Sequence, residues 1–517
     1  MTQAAGSNYT LEIDRYFLIA KFLKNIMTSS SPRFLIIGLD SLRPEMISEK
    51  NMPNLFQFAE QGVTFENHRC CYPSQTYVNL PSLVTGSVPS QHGIIANEYL
   101  DKKVDLREKF NGSSVEKIEK SQNAYQGKLY GVPSFGEILH SQDKSMAVIS
   151  TNSSGSTRLK HYQIKTCPHL SFACHTPEHS WPPDAVSRIV KKCGRPPTKV
   201  FPNHDGITYA TDVFLEYLVP DGLPDLTILW HSEPDDCYHN FGVGSDQSLE
   251  ALSHVDAQFG RVIDWWESSD LHDNLQIIVT SDHAQITQKS NISMSGLLTG
   301  EGFKVDNHLE DGADIALVGG YCGNMLFKND DSGLAKAIGE ALMSFDCCGM
   351  IFSQDKNGVE GVIPGSFSIK LVQADHARSP DLYYILKTDN ELDHLGLKGN
   401  CFFDSDQPVG GGTHGGLHPN ELHNTCIIQG SLFHENHTIS NTSGIIDILP
   451  TVLHSLKIPI PKTVNGRILF EAMTGKNDQD LVQESESFKT GQLNFQQILE
   501  KTTVNKTSYI DGGWRCR

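Results

Sequence analysis

Arg33-Phe34-Leu35-Ile36-Ile37-Gly38-Leu39-Asp40 decides the fold class of this chain, because an unbroken run of β-type residues ends there in a carboxylate. Such a run reads as a strand buried on both faces, and Met52 to Gln61 behind it reads as a helix, giving one β/α unit. The alternation then recurs. Helices are predicted over Phe135 to His140, Tyr209 to Leu218 and Leu249 to Trp266, and strands over Met146 to Ser150, Leu226 to Trp230 and Gln276 to Thr280. Strands alternating with helices imply a three-layer α/β sandwich whose central sheet is mostly parallel and covered on both faces.

The catalytic core is expected to begin at residue 33, after an N-terminal extension over 1–32, and to continue to 283. From 284 to 411 the pattern changes. Ala316 to Phe327, a helical Ala335 to Ser344, and Leu382 to Lys387 suggest a small inserted α+β cap. Core-like sequence returns over 412–476, with a predicted helix from Ile445 to Leu456, and a polar tail over 477–517 is hard to place.

The 517 residues suffice for a large core, about two to four domain-sized units. A formal charge of -19 excludes a nucleic-acid backbone or an anionic membrane as the main partner, since either would require a basic face. An anionic small molecule is not excluded, because bound divalent cations invert the local field. No apolar run reaches the length of a spanning helix. Tyr16 to Met27 is interrupted by Lys21 and Lys24 and followed by Thr28-Ser29-Ser30-Ser31-Pro32, which fits an amphipathic helix packed on the domain better than a signal peptide. A cytoplasmic location is favoured on that ground. The 12 cysteines form no paired C-x-x-C pattern, and the sequons at Asn8, Asn111, Asn152 and Asn436 carry meaning only in a secreted chain. Oligomeric state is not legible.

Several predicted strands end in metal-ligand residues. Asp40 closes the first strand, Asp235 and His239 follow Leu226 to Trp230, and Asp282-His283 follow Gln276 to Thr280. His414 lies in Gly410-Gly411-Gly412-Thr413-His414-Gly415-Gly416, where small residues let backbone approach an ion closely. In open α/β sheets ligands gather at the carboxyl ends of strands, so these groups can converge. Carboxylates and imidazoles without paired thiolates suit catalytic zinc, and six such ligands are enough for two ions. Each residue taken singly also reads as a cap or a satisfied polar group.

These strings resemble the alkaline phosphatase superfamily, most closely its type I phosphodiesterase and nucleotide pyrophosphatase branch. The motifs are Gly38-Leu-Asp-Ser-Leu-Arg43, Tyr72-Pro-Ser-Gln-Thr-Tyr-Val-Asn79, Val84-Thr-Gly86, His92-Gly-Ile94, Glu233-Pro-Asp235 with His239, Ser281-Asp-His283 and Gly412-Thr-His-Gly415. The resemblance implies an alkaline-phosphatase-like sandwich in which Asp40, Asp282 and His283 surround one Zn2+ that also binds the Thr76 oxygen. Asp235, His239 and His414 would hold a second Zn2+. Thr76 would attack phosphorus and form a covalent phosphothreonine, since a threonine hydroxyl is a poor nucleophile until a cation stabilises its alkoxide. Asn79 matches a position whose amide donates to a phosphate oxygen, and Tyr77 matches one that stacks on a nucleotide base; a helix cap and a core tyrosine are their plain readings. The implied activity is hydrolysis of a small-molecule phosphodiester or phosphoanhydride.

Other chemistries share the scaffold. A phosphonate hydrolase of the phosphonoacetate type or a phosphomonoesterase would keep Thr76 and both metal groups, and a non-catalytic relative would keep the fold. Cys71-Tyr-Pro-Ser-Gln75 resembles the sulfatase signature with its arginine missing. There the modified cysteine stands nine positions before the threonine of L-T-G, which here is Thr76 before Thr85, whereas Cys71 is fourteen before. The stretches Ser180-Trp-Pro-Pro-Asp184 and His418-Pro-Asn-Glu421 depart from the nucleotide-pyrophosphatase pattern.

Overall fold

A computed structural model describes residues 31–309, 312–328, 331–405, 408–475, 481–492 and 494–516. The expected amphipathic helix at Tyr16 to Met27 lies outside the described residues. The central sheet has eight strands: β1 (Arg33–Leu39), β2 (Val63–Phe65), β3 (Met146–Ser150), β4 (Leu170–Ala173), β5 (Leu226–His231), β6 (Leu275–Thr280), β7 (Cys426–Gln429) and β8 (His437–Ile439). Their spatial order is β8-β2-β7-β6-β1-β5-β3-β4. Only β7 runs against the others, pairing antiparallel with both β6 and β2. The chain is thus a mixed α/β protein built on a large, mostly parallel sheet.

The apolar run of β1 is continuous because both faces are buried. Phe34 and Ile36 pack into the core on one side, and Leu35, Ile37 and Leu39 into the core on the other. Helices Pro53–Gln61, His204–Asp212 and Asp246–Ser268 cover the second side through Phe58, Ile207 and Phe259. Helix Thr76–Thr85 contributes Leu80, Leu83 and Val84 to the first. The predicted helix at Tyr209 to Leu218 is an α-helix over His204–Asp212 that loosens into π-helical Val213–Leu218.

Gly38 has a steric reason to be there. It pairs with Trp230 on β5, and a Cβ at this position would come within 1.9 Å of the Trp230 ring. Gly38→Ala is expected to cost about 1–3 kcal/mol through overpacking. A lower denaturant midpoint would show it, with activity falling as well because Trp230 Nε1 donates to Asp40 Oδ2 at 3.2 Å.

Between the core segments, a six-stranded sheet is ordered Val305–Asp306, Ile315–Val318, Cys322–Phe327, Leu382–Leu386, Cys348–Ser353, Phe367–Ser368. Helix Ser332–Ser344 joins its strands, and Ala316 to Phe327 proves to be two antiparallel strands turning at Gly319-Gly320. The C-terminal segment, hard to place from sequence, is a three-stranded meander of Gln483–Gln492, Phe495–Val504 and Thr507–Arg515. Side chains of Gln497 and Tyr509 are among the groups that fasten it. The buried Gln497 side chain accepts from Ile351 N at 3.0 Å and donates to Gly365 O at 2.8 Å, and Tyr509 Oη donates to Asp447 Oδ2 at 2.7 Å.

Candidate metal centre

Parallel strands β1, β5 and β6 lie side by side, so the residues leaving their carboxyl ends emerge at one place. Asp40 follows β1, its N–H held by His231 O at 3.1 Å. Ser41 then adopts φ +64°, a left-handed conformation that turns the chain across the site. Asp235 opens the helix Asp235–Phe241, which puts His239 one turn on and over the same face. Asp282 and His283 follow β6. His414 follows the short strand Gly412–Thr413, which pairs antiparallel with Ile286–Asn291.

The six residues predicted as ligands come together in two groups. Asp40, Asp282 and His283 bring ligand atoms within 4.8 Å of one another, as do Asp235, His239 and His414. The groups adjoin: the His283 and His414 rings stack 3.7 Å apart at 14°. Ser41 Oγ donates to Asp235 Oδ1 at 2.6 Å and lies 3.1 Å from His283 Nδ1. Thr76 begins its helix with its hydroxyl 2.9 Å from His283 Nε2 and remains slightly open to solvent.

The imidazoles are oriented from behind. His239 Nδ1 lies 2.8 Å from Gly412 O, and His414 Nδ1 lies 2.7 Å from Ser74 O. A carbonyl only accepts, so both Nδ1 atoms carry the proton and both Nε2 lone pairs face the centre. Asp40 Oδ2 is held by Asn152 Nδ2 at 2.7 Å, while Gln285 Nε2 donates to Asp235 Oδ1 at 2.6 Å.

Two observations show that the groups fit cations. Asp40 Oδ1 and Asp282 Oδ2 are buried without a hydrogen-bond partner, a costly state for a carboxylate oxygen. The titration behaviour points the same way. Burial, then the neighbouring Asp282 and Asp235, raises Asp40 well above the carboxylate range, and burial with Asp235 pushes Asp282 up to about 6. Burial and the adjacent imidazoles lower His283 to about 4 and His414 to about 3. In the Asp40 group the two carboxylates resist ionisation for want of a neighbouring positive charge while His283 stays neutral, the form that ligates a cation; in the second group Asp235 is lowered and His239 raised, each by the other.

Asn79 requires a correction. Its side chain is fully buried: Nδ2 donates to Cys71 O, Pro73 O and Gln75 O at 3.1–3.2 Å, and Oδ1 accepts from Cys71 N at 2.7 Å. Both hydrogens are spent on holding the loop ahead of Thr76, leaving none for a phosphate oxygen. Asn97, which sequence reasoning missed, stands better placed. It lines a cavity of about 380 Å³ shared with Gln75, Tyr77, His239 and His414. Its Oδ1 accepts from Tyr77 N at 2.9 Å, so Nδ2 is the end left to donate. Tyr77 also lines the cavity, with its ring so close over Gly112 that a Cβ there would lie 2.3 Å from it. Cys71 has its thiol pushed up to about 12 by burial, which leaves it unreactive as well as out of the register the sulfatase signature would need.

Comparison with known proteins accords with this geometry. The family model described as type I phosphodiesterase/nucleotide pyrophosphatase matches residues 34–393. Ectonucleotide pyrophosphatase/phosphodiesterase family member 3 of Mus musculus is 26% identical over 259 residues, 49% of this chain and 25% of that protein. Bis(5'-adenosyl)-triphosphatase enpp4 of Xenopus laevis is 25% identical over 271 residues, 51% of this chain and 49% of that one. The matched stretch therefore spans between a quarter and a half of these relatives' length. Among solved structures, an inactive variant of murine ectonucleotide pyrophosphatase/phosphodiesterase 5 in complex with AMP shares the fold. It has a TM-score of 0.55 at 17% identity, covering 83% of this chain and 96% of that one. With the family model spanning the central sheet from β1 through β6 and most of the inserted segment, the chain belongs to the type I phosphodiesterase/nucleotide pyrophosphatase family.

Proposed function

We propose that this protein hydrolyses a phosphodiester or phosphoanhydride bond of a nucleotide-sized small molecule, using Thr76 as nucleophile and two zinc ions. The observation that carries the reading is the convergence of six candidate ligand residues in two adjoining groups, with the Thr76 hydroxyl 2.9 Å from His283 Nε2 in one of them. Asp40, Asp282 and His283 would hold one ion and Asp235, His239 and His414 the other; an all-nitrogen-and-oxygen donor set of this kind suits zinc in an open catalytic site. Bound there, the ions would supply charge to favour the Thr76 alkoxide and to neutralise the phosphoryl oxygens.

Thr76 Oγ1 forms the new bond to phosphorus as the bond to the leaving oxygen breaks, giving a phosphothreonine ester. Water then cleaves that ester, releasing the phosphorylated product and restoring the hydroxyl. Asn97 Nδ2 donates to a non-bridging oxygen as charge builds on it, and Tyr77 offers a flat apolar wall to the organic part of the substrate. AMP in the murine relative supports a ligand of that size. Asn97→Ala is expected to lower kcat about 100-fold with a smaller change in KM, measured by steady-state kinetics.

A panel of p-nitrophenyl phosphodiester, phosphomonoester, phosphonate and sulfate substrates beside ATP, with metal analysis, tests the reading. Fastest turnover on the diester or ATP with two zinc ions per chain is expected. A preference for sulfate, or no turnover with metal present, would overturn it.

A further inference from the structure

His418-Pro419-Asn420-Glu421, which departs from the family pattern in sequence, occupies a decisive place in the structure. Glu421 is fully buried, and its carboxylate receives five hydrogen bonds from three separate parts of the chain. Oε2 accepts from Ser74 Oγ, Gly415 N and Gly416 N, each at 2.9 Å. Oε1 accepts from Tyr321 Oη at 2.7 Å and His418 N at 2.8 Å. Those donors matter through their neighbours. Ser74 O is the atom that orients His414, Ser74 stands two residues before Thr76, and Gly415 follows His414 directly. Tyr321 belongs to the turn of the inserted sheet, where Val318, Gly319 and Gly320 line the cavity. The packing is tight: a Cβ on Gly416 would meet Tyr321 Oη at 2.4 Å.

We infer that Glu421 is a positioning residue for the metal centre, fixing His414 and the Thr76 segment relative to each other and tying both to the inserted sheet. The inference rests on the two-metal hydrolase reading above. The physical reason is the donor count. A carboxylate can accept from all five groups, whereas an amide of the same size must turn an NH2 either toward His418 N–H or toward the Gly415 and Gly416 N–H groups, fixed donors that it repels. The ring of His414 and the backbone ahead of Thr76 then lose their shared reference point. Partners standing behind metal ligands commonly set affinity in this way.

Glu421→Gln in the full chain tests it, with zinc binding followed by competition against a chromogenic chelator. Wild type is expected to show two binding steps. In the variant one step weakens by about 10- to 100-fold while the other holds, and kcat falls by a similar factor with KM within about threefold. Two unchanged steps with unchanged kcat in a folded variant would overturn the inference. Should Glu421→Gln fail to fold, Ser74→Ala and Tyr321→Phe each remove one donor and keep the carboxylate. Weakening of one of the two steps in either supports the assignment, and wild-type binding in both overturns it. A wild-type protein that binds no zinc sinks the underlying reading instead, so the two failures are distinguishable.

Discussion

Replacing Thr76 with alanine is expected to lower turnover of the best phosphodiester substrate by about four orders of magnitude or more, as removal of a nucleophile does elsewhere. Zinc content should stay near that of the unaltered protein, because three other residues complete the Asp40 group. The hydroxyl also makes little structural contribution. Its contact is with His283 Nε2, and the helix it begins is anchored by Leu80, Leu83 and Val84 in the core. Thermal stability should therefore move little. Kinetics, metal analysis and a melting curve on one preparation check all three statements, and a variant retaining more than about a tenth of the original rate would remove Thr76 from the role.

Stripping the metal with a chelator is expected to have the second large effect, abolishing activity and destabilising the fold together. Asp40, Asp235 and Asp282 are brought together at the ends of three adjacent strands, with Asp40 and Asp282 fully buried. Without cations they repel, and the unpartnered oxygens of Asp40 and Asp282 stay desolvated. A ligand present at a thousand times its Kd stabilises by about 4 kcal/mol per site, and that contribution disappears on removal. The melting temperature should drop by several degrees and recover when zinc is returned in slight excess. Recovery of stability without recovery of activity would separate the metal groups from the chemistry proposed for Thr76.

The convergence of the six candidate ligands was legible because parallel sheets impose a rule on sequence: residues that end neighbouring strands meet. Asp40, Asp235 and Asp282 each follow a run of apolar residues, and His239 is one helical turn from Asp235. Asn97 was not legible. It sits eighteen residues after Asn79 in a loop, and is held at the site by its N–H donating to Gln75 Oε1 at 2.7 Å and by its Oδ1 accepting from Tyr77 N at 2.9 Å. Motif position alone favoured Asn79, whose real work is to satisfy backbone carbonyls. Ser41 was likewise invisible, since nothing in the string Leu39-Asp40-Ser41-Leu42 announces a left-handed turn that carries its hydroxyl onto Asp235. The strands Val63–Phe65 and His437–Ile439 at one end of the sheet are three residues long, too short for periodicity to register. In the meander, alternation was present in Phe495–Val504, but its inward positions include Gln497 and Thr502, so a search for apolar residues passes over it.

Gln497 closes a contact with Ile351 that spans 146 positions of chain. During synthesis on the ribosome the inserted sheet is complete well before this partner has been made, and Ile351 waits with its backbone groups unmatched. A message truncated ahead of that strand would thus yield all six candidate metal ligands and Thr76, yet leave the scaffold around them without its final clasp and exposed to quality-control proteases.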